Sequence, residues 1–240
     1  MKRTLFKAGL LTVAVALAAA STMAGERKLE MEYTWTVEAS YPGFDNEAAD
    51  AAVRSWLESH IEKLMDDGKA MASADPVRPK GSMSVSIDYG VARVAEKYGS
   101  ILFHTSIYPS GAAHPMQYAD SLLLDLATGD SLTLNQLFVD PDKALAIMSG
   151  HAPGLLKKYL AEERSDAFPE GVGDDVLFME GLKPEPKNYD CLELAPEAIT
   201  VHFQPYQVLP YVFGMPSVTF PMELLEPAGP NPSIWGGAKR

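Results

Sequence analysis

The sequence predicts an α+β protein, with antiparallel sheets each covered by helices and two small subdomains packed together. Several short segments alternate apolar and polar side chains, which is typical of strands that bury one face. Two longer segments repeat apolar residues every three or four positions, which is typical of helices that cover such a face. With 240 residues and 47% hydrophobic content, the chain can bury one large core or two small ones.

The first half of the mature chain predicts one helix lying on a sheet. Residues 29–41 alternate as a strand and end at Pro42-Gly43, after which Asp45 is expected to cap a helix. Residues 83–91 and 101–107 alternate again, so they are expected to pair as antiparallel strands beneath that helix. The predicted apolar face of the helix comprises Ala49, Val53, Trp56, Leu57, Ile61 and Leu64.

The second half predicts a strand at 121–126 and then a helix that Asp140 caps and Pro141 begins. Pro153 is expected to break or kink this helix, because proline removes a backbone donor. Residues 165–186 are acidic and rich in glycine and proline, which favours a long surface excursion. Two strands are predicted at 189–194 and 198–203, and a last regular element at 217–225.

The N-terminus has the pattern of an export signal. Lys2, Arg3 and Lys7 precede an apolar run that ends in small residues, so residues 1–24 are predicted to be a signal peptide. The cut is expected after Ala24, with Ala20 as the alternative. The protein is therefore expected in the periplasm or secreted, soluble after cleavage and not inserted in a membrane. The remaining predicted units are domains at 29–110 and 111–226 and a disordered tail at 227–240.

Charge and cysteine content narrow the possible partners. The formal net charge is −12, and removing three basic residues with the signal makes it −15. Nucleic acid and anionic membrane surfaces are therefore excluded as expected partners, and cationic partners are favoured. The single cysteine, Cys191, excludes an internal disulfide and is expected to be a buried small hydrophobe.

Neither a catalytic residue nor a metal or cofactor site is predicted. Ser110 and His114 lack the glycine elbow of a nucleophilic serine, and their spacing matches no known hydrolase. The acid pairs at 66–67 and 174–175 lack the pattern of a calcium loop. The histidines are scattered singly, without the paired spacing of a zinc site. They are His60, His104, His114, His151 and His202.

An aromatic cluster interleaved with prolines offers the clearest candidate for binding. Phe203, Tyr206, Tyr211 and Phe213 are expected either to plug the edge of the core or to line a glycan or protein contact. The predicted partner-binding residues are Tyr108, His114, Asp174, Asp175, Tyr206 and Tyr211.

Five pieces of the second half, in order, carry a family resemblance. They are "GAAHP", "DLATGDSLTLNQLF", the two-part helix, "LELAPEAITVHFQPYQVLPYVFG" and "VTFPMELL". This half resembles the C-terminal extracellular domain of the RsiV-type lysozyme-sensing envelope proteins. The first half is similar to the domain that precedes it in PdaC-type peptidoglycan deacetylases. Together the two resemblances cover residues 29–226.

The resemblance implies an extracellular α+β accessory or sensor domain without enzymatic activity of its own, which binds lysozyme in the sensor members. It also places His114 at a corner of the chain that members of the family share, which favours a structural or contact role. No cytoplasmic segment, membrane anchor or deacetylase domain is predicted here, so signalling by regulated proteolysis and deacetylation are not expected. The resulting hypothesis is a non-enzymatic envelope binding protein for a lysozyme-like or other cationic protein. The alternatives are a peptidoglycan or glycan binding module, and a hydrolase with an unrecognised site.

Overall fold

A five-stranded and a three-stranded sheet, each packed against helices, confirm the predicted α+β class. The computed structural model describes residues 8–16, 34–74, 82–94, 97–163 and 176–236. The strands are β1 (Ala8–Ala16), β2 (Thr34–Pro42), β3 (Ser82–Val94), β4 (Tyr98–Pro109), β5 (Met116–Asp125), β6 (Leu192–Ala195), β7 (Ala198–His202) and β8 (Ser217–Pro221). The α-helices are α1 (Glu47–Ala74), α2 (Leu134–Leu137), α3 (Pro141–Glu163), α4 (Met222–Leu225) and α5 (Pro232–Trp235).

The first sheet has the order β1-β2-β3-β4-β5. All its pairs are antiparallel except β2 with β3, which run parallel. This pair differs from the expected antiparallel arrangement because α1 lies between the two strands in sequence and returns the chain to the end where β2 began. The outer strand β1 belongs to the run assigned to the signal peptide. Cleavage after Ala24 would remove it and leave β2 as the edge strand.

The helix α1 buries the predicted apolar face against this sheet. Val53, Leu57 and Ile61 join Phe103 and other buried strand residues in one core. The cap differs from the prediction: the side-chain oxygen of Asn46 accepts hydrogen bonds from the backbone N–H groups of residues 48 and 49, at 3.0 and 3.1 Å. Asp45 instead adopts a φ of 55° in the turn before the helix.

The second sheet has the order β6-β7-β8 and packs on the face of the first sheet opposite α1. Side chains alternate along β4, so Ser100 points away from the face that carries Ile101. The Ser100 hydroxyl oxygen accepts a hydrogen bond from the backbone N–H of Leu194 at 2.9 Å, and the Ser121 hydroxyl oxygen accepts one from Leu192 at 2.8 Å. Since β4 and β5 are hydrogen-bonded neighbours, one sheet spans the predicted boundary at 110/111.

The helix α3 runs unbroken through Pro153, so the predicted break is wrong, and the alternative of a kink stays a prediction. Met148, Ala152 and Leu156, on both sides of this proline, are fully buried in the second core. Packing of that face compensates for the missing backbone donor. The predicted start is confirmed, because the Asp140 carboxylate accepts a hydrogen bond from the N–H of Lys143 at 3.0 Å.

The predicted surface excursion and the predicted disordered tail both place apolar side chains in the core where the structure describes them. In the acidic excursion, Leu182 is buried, and Asn188 just after it donates hydrogen bonds to the carbonyl oxygens of Glu180 and Lys183. The predicted disordered tail is wrong up to residue 236, because Ile234 and Trp235 are buried there. The indole N–H of Trp235 donates to the carbonyl of Ala195 at 3.1 Å. Within the described ranges, none of the helices is long and apolar enough to cross a membrane.

Candidate ligand-binding cleft

A cavity of about 1050 Å³ opens between the C-terminal half of α1, the ends of β3, β4 and β5, and two loops. One loop joins β4 to β5, and with its two flanking strand residues we call it the loop 109–116. The other wall comes from Lys187, Asp190, Gln204 and Gln207, which lie before β6 and after β7. We call this cavity the cleft. Its apolar wall includes Ile107, Met116 and Tyr118. Both halves of the chain therefore contribute to one site.

The α1 wall places His60, Lys63 and Asp67 on one stripe, because residues three and four apart lie on the same side of a helix. The His60 ring stacks on Trp56 with the ring centroids 4.8 Å apart. Its Nε2 atom lies 3.4 Å from the Thr105 hydroxyl and 3.7 Å from an Asp120 carboxylate oxygen. Burial lowers the pKa of His60 below its usual value, and the Asp120 charge only partly opposes this. Burial therefore favours the neutral form of the ring.

The opposite wall is held by two glutamines. The side-chain amide of Gln204 accepts a hydrogen bond from the N–H of Ala119 and donates one to its carbonyl oxygen. Gln207 accepts from the N–H of Gln204 at 2.9 Å and donates to the carbonyl oxygen of Asn188 at 3.1 Å. Gln204 thus ties the loop after β7 to β5, and Gln207 ties the same loop to the segment before β6.

The loop 109–116 forms the rim of the cleft and contains both Ser110 and His114. Gly111 has a φ of 83°, a backbone conformation that favours glycine. The backbone N–H of Ser110 donates to the carbonyl of Ser82 at 2.8 Å, and the Tyr108 hydroxyl donates to the carbonyl of Ala112 at 3.1 Å. The loop is thus a hydrogen-bonded corner, and its non-catalytic role stays a prediction.

Three rings stack outward from this rim, and we call His114, Tyr211 and Tyr206 the ring ladder. The His114 and Tyr211 ring centroids are 5.1 Å apart, and those of Tyr211 and Tyr206 are 5.4 Å apart. The Tyr211 hydroxyl lies 3.1 Å from Nδ1 of His114 and donates to the carbonyl of Pro115 at 3.2 Å. Phe203 and Phe213 are buried, as the core alternative predicts, whereas Tyr206 and Tyr211 lie outside the core and their contact role stays a prediction.

The predicted partner-binding residues are only partly brought together. His114, Tyr206 and Tyr211 form the ring ladder, and Tyr108 supports the rim while bordering a second depression of about 280 Å³. Asp174 and Asp175 lie outside the described residues.

Sequence reasoning missed that His60 and Asp120 lie close together. His60 lies on α1, and the pairing of β4 with β5 places Asp120 opposite that helix. No group of three or more metal-ligating side chains occurs within the ranges that the structure covers. Cys191 is buried as predicted, and burial raises the pKa of its thiol to about 12.

Comparison with known proteins agrees with this architecture. Residues 135–223 match the family model described as "Protein of unknown function (DUF3298)". The peptidoglycan-N-acetylmuramic acid deacetylase PdaC of Bacillus subtilis is 22% identical over 193 residues, which is 80% of this chain and 38% of that protein. The chain therefore spans well under half of that relative's length.

Two solved structures share the fold. A DUF3298 family member from Bacteroides fragilis aligns over 98% of this chain and 97% of its own, at 17% identity and a TM-score of 0.54. A DUF3298 family protein from Pseudomonas aeruginosa PAO1 aligns over 93% and 94%, at 14% identity and a TM-score of 0.52. This chain is therefore similar to the DUF3298 family model over residues 135–223 and shares its α+β fold with these two structures.

Proposed function

We propose that this protein is an exported, non-enzymatic binding protein of the cell envelope, and that its cleft takes a cell-wall glycan. The observation that carries the proposal is the cleft itself, whose volume of about 1050 Å³ matches the upper range of small-ligand sites. The similarity of this chain to a protein named as a peptidoglycan-N-acetylmuramic acid deacetylase supports the choice of a cell-wall glycan as ligand.

The chemistry of the cleft walls suits a sugar chain. Asp120 and Asp67 offer hydrogen-bond acceptors for sugar hydroxyls, and Lys63 offers a donor. Met116 and Tyr118 offer apolar surface for the C–H faces of the rings. Convergent polar groups beside apolar surface are typical of a site that orients its ligand.

The positions of the reactive-looking side chains support a binding role over catalysis. His114, the imidazole nearest to Ser110 in sequence, directs Nδ1 toward Tyr211 and Pro115. Gln204 and Gln207 already hold backbone groups and so fix the wall. We therefore expect glycan strands incubated with the protein to keep their mass. Shortened or deacetylated products in mass spectrometry would instead establish an enzyme.

Export is part of the proposal and has its own test. The full chain expressed in a bacterial host should appear outside the cytoplasm, and N-terminal sequencing should find Gly25 as the first residue. Intact chain that stays in the cytoplasm with its first 24 residues would contradict the predicted signal peptide.

Binding is tested by calorimetry of the full chain against soluble glycan fragments of peptidoglycan. Asp120→Asn should weaken binding by about tenfold, since a hydrogen bond to a charged group is replaced by one to a neutral amide. The side chain of Asp120 is 41% exposed, so this substitution should leave the melting temperature unchanged. Asp142→Asn, on the exposed start of α3, serves as the control. Equal affinity of all three proteins would remove the cleft from consideration.

A second candidate is binding of a cationic, lysozyme-like protein, as in the RsiV-type sensors. The net charge of −12, which becomes −15 once the signal is removed, favours it, because a field of this sign steers cationic partners. Binding should weaken as salt shortens the screening length from about 8 Å to about 3 Å, and a specific interface should keep measurable affinity at high salt. Changing Asp174 and Asp175 to asparagine should weaken it further. No detectable heat with lysozyme at low salt would leave the glycan proposal alone.

A further inference from the structure

We infer that the cleft's ligand is an extended glycan chain, which leaves the cleft across the ring ladder and stacks on Tyr206. This inference rests on the proposed function and deepens it, because it assigns a second, outer subsite and requires a ligand of several sugar units. Three observations carry it: the continuity of the ladder with the cleft, the exposure of its outermost ring, and the conformation in which that ring is held.

The ring ladder adjoins the cleft at two places, at His114 and at the turn between Gln204 and Gln207. His114 lines the cleft and is also the first ring of the ladder. Gln204 and Gln207 line the cleft as well, and Tyr206 lies between them in the same turn. A ligand that extends past the glutamine wall therefore meets the tyrosine rings next.

The outermost ring is open to a ligand. One face of the Tyr206 ring lies against Tyr211, yet the residue remains 64% exposed. Its opposite face and its edges are therefore in contact with solvent. Val212, beside the middle ring in sequence, is also 64% exposed. Exposed aromatic and apolar side chains that adjoin a cleft are typical of a contact surface.

The backbone presents this ring at a position where a tyrosine is unfavourable. The N–H of Gln207 donates to the carbonyl oxygen of Gln204 at 3.0 Å, which closes a turn with Pro205 and Tyr206 at its centre. Tyr206 has a φ of 64°, and this place in such a turn favours glycine or asparagine. Neither backbone preference nor burial accounts for the tyrosine, and beyond its stacking on Tyr211 a ligand contact would account for it.

A sugar chain is the occupant that fits both parts of this surface. Aromatic rings offer an apolar face to the C–H face of a pyranose, and the Tyr206 hydroxyl stays available for a sugar hydroxyl. The successive ring centroids are separated by 5.1 and 5.4 Å, so a single sugar held in the cleft does not reach the outer face of Tyr206. The ladder should therefore matter only for long ligands.

The test is calorimetry of the full chain with the dimer, tetramer and hexamer of N-acetylglucosamine. The wild type should bind the hexamer more tightly than the dimer. Tyr206→Asn removes the ring while suiting the turn, so it should lower hexamer affinity by about three- to tenfold and leave dimer affinity unchanged. Tyr206→Phe keeps the ring and should stay close to the wild type.

The outcomes separate this inference from the proposed function. If Tyr206→Asn keeps the full gain in affinity with chain length, or loses dimer and hexamer affinity equally, the outer subsite is overturned and the proposed function stands. If the wild type binds none of the oligomers and no peptidoglycan fragment, the proposed function and this inference fall together.

Discussion

The folded tail gives the sharpest stability prediction, because Trp235 makes three kinds of contact in a segment whose composition suggests disorder. It is 8% exposed, it stacks on Phe138 with ring centroids 5.9 Å apart, and its N–H donates to the carbonyl of Ala195. Trp235→Ala removes the buried ring and should lower the free energy of unfolding by about 3–5 kcal/mol. At about 2–4 °C per kcal/mol for a chain of this size, the melting temperature should fall by at least about 6 °C.

Differential scanning calorimetry of the full chain measures this change, with two further variants as controls. Trp235→Phe keeps a stacked ring but loses the hydrogen bond and part of the buried indole, so its cost should lie between about 1 kcal/mol and the cost of Trp235→Ala. Ser233→Ala, at an exposed position of the same short helix, should change stability by no more than about 0.5 kcal/mol. If Trp235→Ala melts with the wild type, the tail contributes nothing to the core and the reasoning from burial fails.

Three further predictions concern single groups. Burial lowers the pKa of His60 in the folded chain below 6.5, so the unfolded chain binds more protons and the free energy of unfolding decreases as the pH falls below 6.5. The melting temperature of His60→Gln should therefore depend less on pH in this range than that of the wild type. Cys191, whose thiol pKa is about 12, should react with a thiol reagent only after denaturation, and rapid reaction of the native protein would contradict its burial. His114→Ala should lower stability by about 1 kcal/mol through the lost Tyr211 contact while Ser110→Ala changes little, and loss of a measured turnover without a change in melting temperature would instead indicate catalysis.

The elements that could be predicted from sequence are those whose pattern is local. The apolar face of α1 and the cap of α3 at Asp140 depend on residues three or four apart, and both are confirmed. The parallel pairing of β2 with β3 could also have been predicted, because a long helix between two strands favours a parallel crossover. The predicted break at Pro153 failed because tertiary packing outweighed a local preference.

The tail shows a different failure, in which composition concealed two large apolar side chains. Residues 227–236 are rich in proline and glycine, which favours disorder when no apolar surface is available to bury. Ile234 and Trp235 supply that surface, and Asn231 accepts a hydrogen bond from the N–H of Ser233 to begin the short helix that carries them. Two buried side chains in a short segment were enough to offset the entropy of ordering it.

The cleft could not be predicted from sequence because its walls come from segments that are distant along the chain. His60 and Asp120 are separated by α1, β3 and β4, and only the register of β4 with β5 brings the carboxylate within 3.7 Å of the imidazole. The tyrosines of the ring ladder were found because they cluster in sequence, whereas their contact with His114 spans 97 positions. Local clustering therefore identifies the exposed end of this site, and the long-range register of the first sheet determines what lies inside it.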